Sequence, residues 1–139
     1  MNNTLDMQDI RHLNLFSQIT KINTRFCIHY NGILIFCVPK SLVKKSLGEN
    51  GRNIKKISEI LNKRIRVIPI PRGNEDIKFF IEDIIKPLTF KSIEVKKDEV
   101  IINSNNIQNK ATLMGREKKR LFELQKAVRE YFNKELKIL

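Results

Sequence analysis

Residues 47–54 read Leu47-Gly48-Glu49-Asn50-Gly51-Arg52-Asn53-Ile54. Two glycines three apart are a weak pattern by themselves, but here they separate two short apolar-periodic segments. Leu42, Val43 and Leu47 precede them, and Ile54, Ile57, Ile60 and Leu61 follow, so the stretch joins one short helix to a second of about three turns. Glycines at such a joint leave no side chain between the backbone and an approaching sugar-phosphate chain. The amides that open the second helix, at the positive end of its dipole, favour anions. A corner of this kind can hold a phosphate backbone without reading bases. Lys44, Lys45, Arg52, Lys55, Lys56, Arg64 and Arg66 lie near it in sequence, while Ile54, Ile57 and Leu61 turn the other way, into a core. The candidate binding set is those seven cations with Gly48, Glu49, Asn50 and Gly51. Glu49 puts a carboxylate where a phosphate would come, and at an exposed site the resulting loss of grip is modest.

Upstream, the chain predicts a helix from Thr4 to about Ile19, with Leu5, Ile10, Leu13, Phe16 and Ile19 near helical spacing and Thr4 or Asp6 as its cap. A hairpin follows. Thr24 to Tyr30 and Ile33 to Val38 are rich in β-branched and aromatic residues and flank Asn31-Gly32, a pair that tolerates the positive φ angles of a two-residue turn. That register sets Cys27 opposite Phe36 and Cys37 opposite Phe26. The two thiols then lie on opposite sheet faces, and no disulfide between them is expected. Downstream of the glycines, Ile65, Val67, Ile68 and Ile70 form a strand before Pro71.

A similar order then restarts after the linker Pro71-Arg72-Gly73-Asn74. Ile77 to Ile85 reads as a helix ended by Pro87, and Phe90 to Val95 and Val100 to Ile102 read as strands around Lys97-Asp98. A polar stretch from Asn103 to Asn109 leads to a second helical pair. Leu121, Leu124, Val128, Tyr131 and Phe132 give its last helix an apolar stripe, and residues 136–139 suit a short final strand. Two units follow from this, 1–71 and 72–139, each a small three-stranded sheet packed on helices. The fold class is α/β in the broad sense, more narrowly α+β. Phe26, Phe36, Phe79, Phe80, Phe90 and Phe122 each fall on an apolar period and are expected in the core.

The chain has 139 residues and a net charge of +12 from 27 Lys+Arg against 15 Asp+Glu. The excess is not uniform. By segment the nets are +1 for residues 1–39, +7 for 40–66, −1 for 71–109 and +5 for 110–139. Two basic blocks separated by a neutral one build the local potential that attracts polyphosphates. The longest apolar run, Ile33 to Val38, falls far short of the roughly 18 residues of a membrane span, and no secretory signal is evident. Cys27, Cys37, His12 and His29 are too few and too scattered for a CxxC-type zinc site, so no metal is expected and a reducing, intracellular setting is.

The residues around the glycine pair resemble a KH domain, the module whose GXXG loop clamps about four nucleotides of single-stranded RNA. The order helix, strand, strand, helix, helix, strand matches the type II arrangement. The likeness extends over nearly the whole chain: Ile10-Arg11 through Leu15-Phe16-Ser17-Gln18-Ile19-Thr20, Cys27, the Ile33 to Val38 strand, Gly48 to Ile54, Lys63 to Val67, and Phe80 to Val95 with Lys86-Pro87 and Lys91-Ser92-Ile93-Glu94-Val95. With these the sequence resembles the short archaeal NusA-like proteins, little more than two tandem KH domains. The resemblance implies a cytoplasmic, monomeric single-stranded-RNA-binding factor of transcription termination and antitermination.

In the second unit the corresponding run is Met114-Gly115-Arg116-Glu117-Lys118, which keeps the first glycine and has Lys118 in place of the second. A side chain there stands in the way of close approach by a nucleotide chain. Gly115, Arg116, Lys118, Lys119 and Arg120 form a second candidate set that could hold phosphate by charge, or face RNA polymerase, whose acidic surfaces would suit either basic block. Other classes fit less well. A DNA-reading helix-turn-helix would give two helices and a basic second helix, but needs neither two glycines three apart nor flanking strands. The GxxxxGK[ST] ending of a P-loop is missing after Gly48, and no HExxH helix, GxSxG elbow or acid-base pair stands out. No catalysis and no cofactor are expected.

Overall fold

The computed structural model describes residues 6–139, which divide into two compact units between Ile70 and Pro71. Thr4, read as an alternative cap, and Leu5 lie outside the described residues.

In the first unit, α1 (Met7–Thr20) begins at Asp6, whose carboxylate accepts the Asp9 amide at 2.8 Å, and ends at Lys21 in the left-handed region. β1 (Phe26–Tyr30) and β2 (Ile33–Val38) pair antiparallel in the register expected from the sequence, with Cys27 across from Phe36 and Phe26 across from Cys37. Asn31 and Gly32 both take positive φ between them. A 3-10 turn after Pro39 leads into α2 (Val43–Leu47); α3 (Arg52–Leu61) follows the glycine corner, and β3 (Arg64–Pro69) returns parallel to β2. The sheet order is β1-β2-β3, so β2 is central and all six of its residues are buried. On its helix-facing side, Leu34, Phe36 and Val38 pack with Leu13, Phe16, Cys27 and Ile57, and the Phe16 and Phe36 rings stack at 4.4 Å. Both cysteines are free and buried.

The second unit repeats this order with α4 (Ile77–Ile85), β4 (Ser92–Val95), β5 (Glu99–Asn103), α5 (Ile107–Met114), α6 (Lys119–Phe132) and β6 (Glu135–Ile138). Its sheet runs β4-β5-β6, antiparallel then parallel, as in the first unit. The fold is α+β, two small units built on one plan. Lys134, itself buried, closes the β4–β5 turn by donating Nζ to the carbonyls of Lys96 at 2.7 Å and Lys97 at 2.5 Å.

Some elements differ from their sequence pattern for identifiable reasons. β4 starts at Ser92 and leaves Phe90 half-buried ahead of it. The polar run before α5 is shorter than it reads, because Asn106 caps the helix by accepting the Asn109 amide at 2.7 Å and draws residues 107–109 into it. Phe79 is 64% exposed and Phe122 57% exposed, against the expectation that both are core. α4 buries Ile77, Phe80, Ile81 and Ile84, and α6 buries Leu121, Leu124 and Val128; each phenylalanine is one step of about 100° off its helix's stripe. Ile60 is exposed on α3 likewise, whereas Phe36 and Phe80 are buried as expected.

Candidate nucleic-acid interface

The backbone leaves α2 at Gly48 (φ 77°, ψ 171°), turns through Glu49 and Asn50 (φ 55°, ψ 29°), and enters α3 from Gly51 (φ 71°, ψ 20°). The two glycines serve different ends. A Cβ on Gly48 would lie 2.8 Å from Asn53 Cγ and 3.1 Å from the Asn53 backbone nitrogen, so only glycine lets the bend close on itself. Asn53 is held in that place by donating Nδ2 to the Ser46 carbonyl at 3.2 Å. A Cβ on Gly51 would meet nothing within 4 Å. Gly51 is therefore set by its positive φ alone, and the space outside it is open. No side chain caps α3 at this end, so the dipole of a ten-residue helix faces that space without a local acceptor.

Around the bend lies a shallow depression of about 560 Å³ lined by Lys44, Lys45, Leu47, Gly48, Glu49 and Gly51. Glu49 points outward and makes a long, exposed ion pair with Arg52 at 3.7 Å, an interaction worth at most about 1 kcal/mol. Arg52, Lys55 and Lys56 are exposed at positions i, i+3 and i+4 of α3 and so share one helix face, directly after the bend. The structure thus brings together Lys44, Lys45, Gly48, Glu49, Asn50, Gly51, Arg52, Lys55 and Lys56. It does not gather Arg64 and Arg66 with them. Along β3 Ile65 and Val67 pack on the helix-facing core, so strand alternation assigns Arg64 and Arg66 to the opposite sheet face.

The second unit makes the same bend without its second glycine. Gly115 (φ 77°, ψ 174°), Glu117 (φ 57°, ψ 27°) and Lys118 (φ 61°, ψ 22°) match Gly48, Asn50 and Gly51 to within about ten degrees. Lys118 N donates to the Gly115 carbonyl at 3.1 Å, as Gly51 N does to Gly48 at 3.1 Å. Arg120 takes the role of Asn53. It stands against Gly115, where a Cβ would come within 2.7 Å of Arg120 Cγ, and donates Nη1 to the Thr112 carbonyl at 2.9 Å. Arg120 is thus a strut of the bend, whereas Arg116, Lys118 and Lys119 are exposed. Sequence reasoning missed the struts. The available signal was their shared position, five residues after the first glycine in both units.

No family model matches the chain. Among curated proteins it is similar to the "Probable transcription termination protein NusA" of Methanococcus vannielii, 28% identical over 93 residues. It is also similar to the protein of the same name from Thermoplasma acidophilum, 22% identical over 134 residues, or 94% of this chain and 90% of that protein. The chain is NusA-like. The Methanococcus match takes in 67% of the NusA-like chain and spans about half, 52%, of that relative's length. Among solved structures, the crystal structure of APE1850 superposes with a TM-score of 0.67 at 23% identity, over 97% of this chain and 100% of the other, which establishes the shared two-unit fold. Among the described residues no helix is long and apolar enough to cross a membrane.

Proposed function

We propose that this NusA-like chain is a cytoplasmic factor of two type II KH units that binds single-stranded RNA in transcription termination or antitermination. The bend from Gly48 to Gly51 holds the sugar-phosphate backbone, and Lys44, Lys45, Arg52, Lys55 and Lys56 neutralise the phosphates on either side. The observation that carries this reading is the open space outside Gly51, at the uncapped start of α3, beside a face of three cations. The naming of the relatives supports the transcriptional setting. A factor acting in termination works where transcript and RNA polymerase meet. The exposed Arg116, Lys118 and Lys119 of the second unit suit either the same RNA or an acidic polymerase surface. Nothing in this reading calls for catalysis.

The test is binding of a labelled single-stranded RNA and of duplex DNA at one fixed salt concentration, with wild type and Asn50→Asp. Asn50 is exposed at the tip of the bend, so aspartate places a second carboxylate beside Glu49 without touching the core. RNA affinity should fall several-fold and duplex DNA should bind more weakly than RNA. Equal RNA affinity of the variant removes the bend as the contact site. A preference for the duplex replaces the KH reading with a helix-turn-helix one.

A further inference from the structure

Asp9 and His12 are three residues apart on α1 and so share a helix face, and His29 on β1 stands opposite them. Each of the three offers a ligand atom, and these atoms all lie within 4.8 Å of one another. His29 Nε2 is 2.8 Å from Asp9 Oδ1, and the His12 and His29 ring centres are 6.1 Å apart. Asp9 is 8% exposed and His12 4%, while the His29 side chain is 42% exposed and gives the cluster an opening to solvent.

A hydrogen-bonded Asp–His pair explains two of these residues but not the third. Nδ1 of His12 is buried with no hydrogen-bond partner among the described residues. Leaving such a nitrogen unsatisfied is costly, and a fold does not ordinarily sustain it without a use for it. We infer that Asp9, His12 and His29 form a binding site for a divalent transition-metal ion, Zn²⁺ being the ion their chemistry best suits. Two imidazoles and one carboxylate are a borderline-soft donor set, with a fourth position reachable past His29 for water. Burial, chiefly, pushes the His12 imidazole pKa down, with the nearby charges of Lys63 and His29 acting the same way. Burial pushes the Asp9 carboxyl up, but the hydrogen bond and charge of His29, with smaller hydrogen bonds from the Asp6 backbone and Cys27, bring it below the usual carboxylate range. Cys27, two residues before His29 on the same strand face, is outside the ligand set. It is hydrogen-bonded to the Asp9 side chain, an outer contact that can help hold the carboxylate in place. Bound metal would tie α1 to β1 at the end of the first unit's core.

The site is tested on the full chain by titrating ZnCl₂ against a chromophoric chelator, with thermal unfolding and a parallel Co²⁺ titration followed by visible absorption. His29→Ala is the first variant, because His29 is on the surface and its removal leaves the core intact. Asp9→Asn, which keeps the shape of the carboxylate, is the second. Wild type should take up one Zn²⁺ per chain and unfold at a higher temperature with it. It should also give the intense visible bands of four-coordinate Co²⁺. Both variants should bind at least tenfold more weakly and lose the thermal shift, since replacing even an outer-shell partner typically costs 10–100-fold. Uptake that is undiminished in both variants, or no uptake by wild type above that of His29→Ala, overturns the assignment.

Discussion

Lys118 adopts the conformation that Gly51 adopts in the first unit, φ 61° and ψ 22° against φ 71° and ψ 20°, but carries a Cβ there. For an L-residue this region costs roughly 1–2 kcal/mol, while glycine enters it freely. Lys118→Gly removes that cost. It adds backbone freedom to the unfolded chain, which takes back about 0.4–1 kcal/mol. The side chain is exposed, and the hydrogen bond from the Lys118 amide to the Gly115 carbonyl survives in glycine. The net is a stabilisation of the second unit by about 0.5–1 kcal/mol. With a urea dependence of about 2 kcal/mol/M, its midpoint should rise by roughly 0.4 M. The reciprocal change, Gly51→Ala, should destabilise the first unit by a similar amount, since no atom within 4 Å of the added Cβ contributes a clash. Urea unfolding followed by backbone amide NMR reads α3 and α6 separately, so each change is assigned to its own unit. A Lys118→Gly chain no more stable than wild type, or a Gly51→Ala chain with an unchanged midpoint, refutes the claim that backbone conformation alone governs this position.

Gly48→Ala should be more destabilising than Gly51→Ala, by about 1 kcal/mol or more, because its Cβ meets the Asn53 backbone at 3.1 Å as well as the positive φ; the same urea experiment measures the difference. Glu49→Gln removes the carboxylate at the depression and frees Arg52, so RNA affinity measured by fluorescence anisotropy should rise a few-fold at low salt and converge with wild type at high salt. Lys55→Gln with Lys56→Gln should flatten the slope of log affinity against log salt by roughly 0.7 for each phosphate no longer neutralised, and an unchanged slope would show these lysines to be solvated bystanders. Glu135 is held below the usual glutamate range by the hydrogen bond and charge of Arg129, at 2.9 Å. A carboxyl with a lowered folded pKa adds stability above its unfolded value and loses it as pH falls through the folded one. The Glu135 carboxyl carbon should therefore titrate below the usual range by NMR and return to it in Arg129→Ala.

The sequence shows the repeated helix, strand, strand, helix, helix, strand order because each element carries its own local signal. Asn31-Gly32 fixes the first hairpin register, and the apolar spacing of Ile54, Ile57 and Leu61 fixes the inner face of α3. What local pattern could not show is which way a residue faces once neighbours compete. Phe79, Ile60 and Phe122 are as apolar as the residues beside them, but a helix packed on one sheet has room for a single stripe. Arg64 and Arg66 are close to the glycine bend in sequence, yet the pleat of β3 turns them away from it. The cluster of Asp9, His12 and His29 was illegible for the opposite reason: its members are separated by a helix and a loop, and only the packing of α1 on β1 brings them together.

The glycine bend shows how far motif and geometry can separate. Judged by letters, the second unit lacks the feature that defines the first, yet its backbone follows the same path to within about ten degrees. The path is therefore held by something other than the second glycine. In both units that is the first glycine, against which a side chain five residues on is packed and bonded back to the preceding helix, Asn53 to Ser46 and Arg120 to Thr112. It follows that Gly51 is not what makes the bend. Its presence spares the first unit the strain that Lys118 bears in the second, and leaves bare the surface that a nucleotide chain would need to reach. A double variant, Lys118→Gly with Glu117→Asn, reproduces the first bend's residues at those positions and removes one charge of each sign. If close approach rather than charge limits the second unit, that variant should gain RNA affinity over wild type at equal net charge. If it gains none, the second bend is a structural copy whose cations act through charge alone.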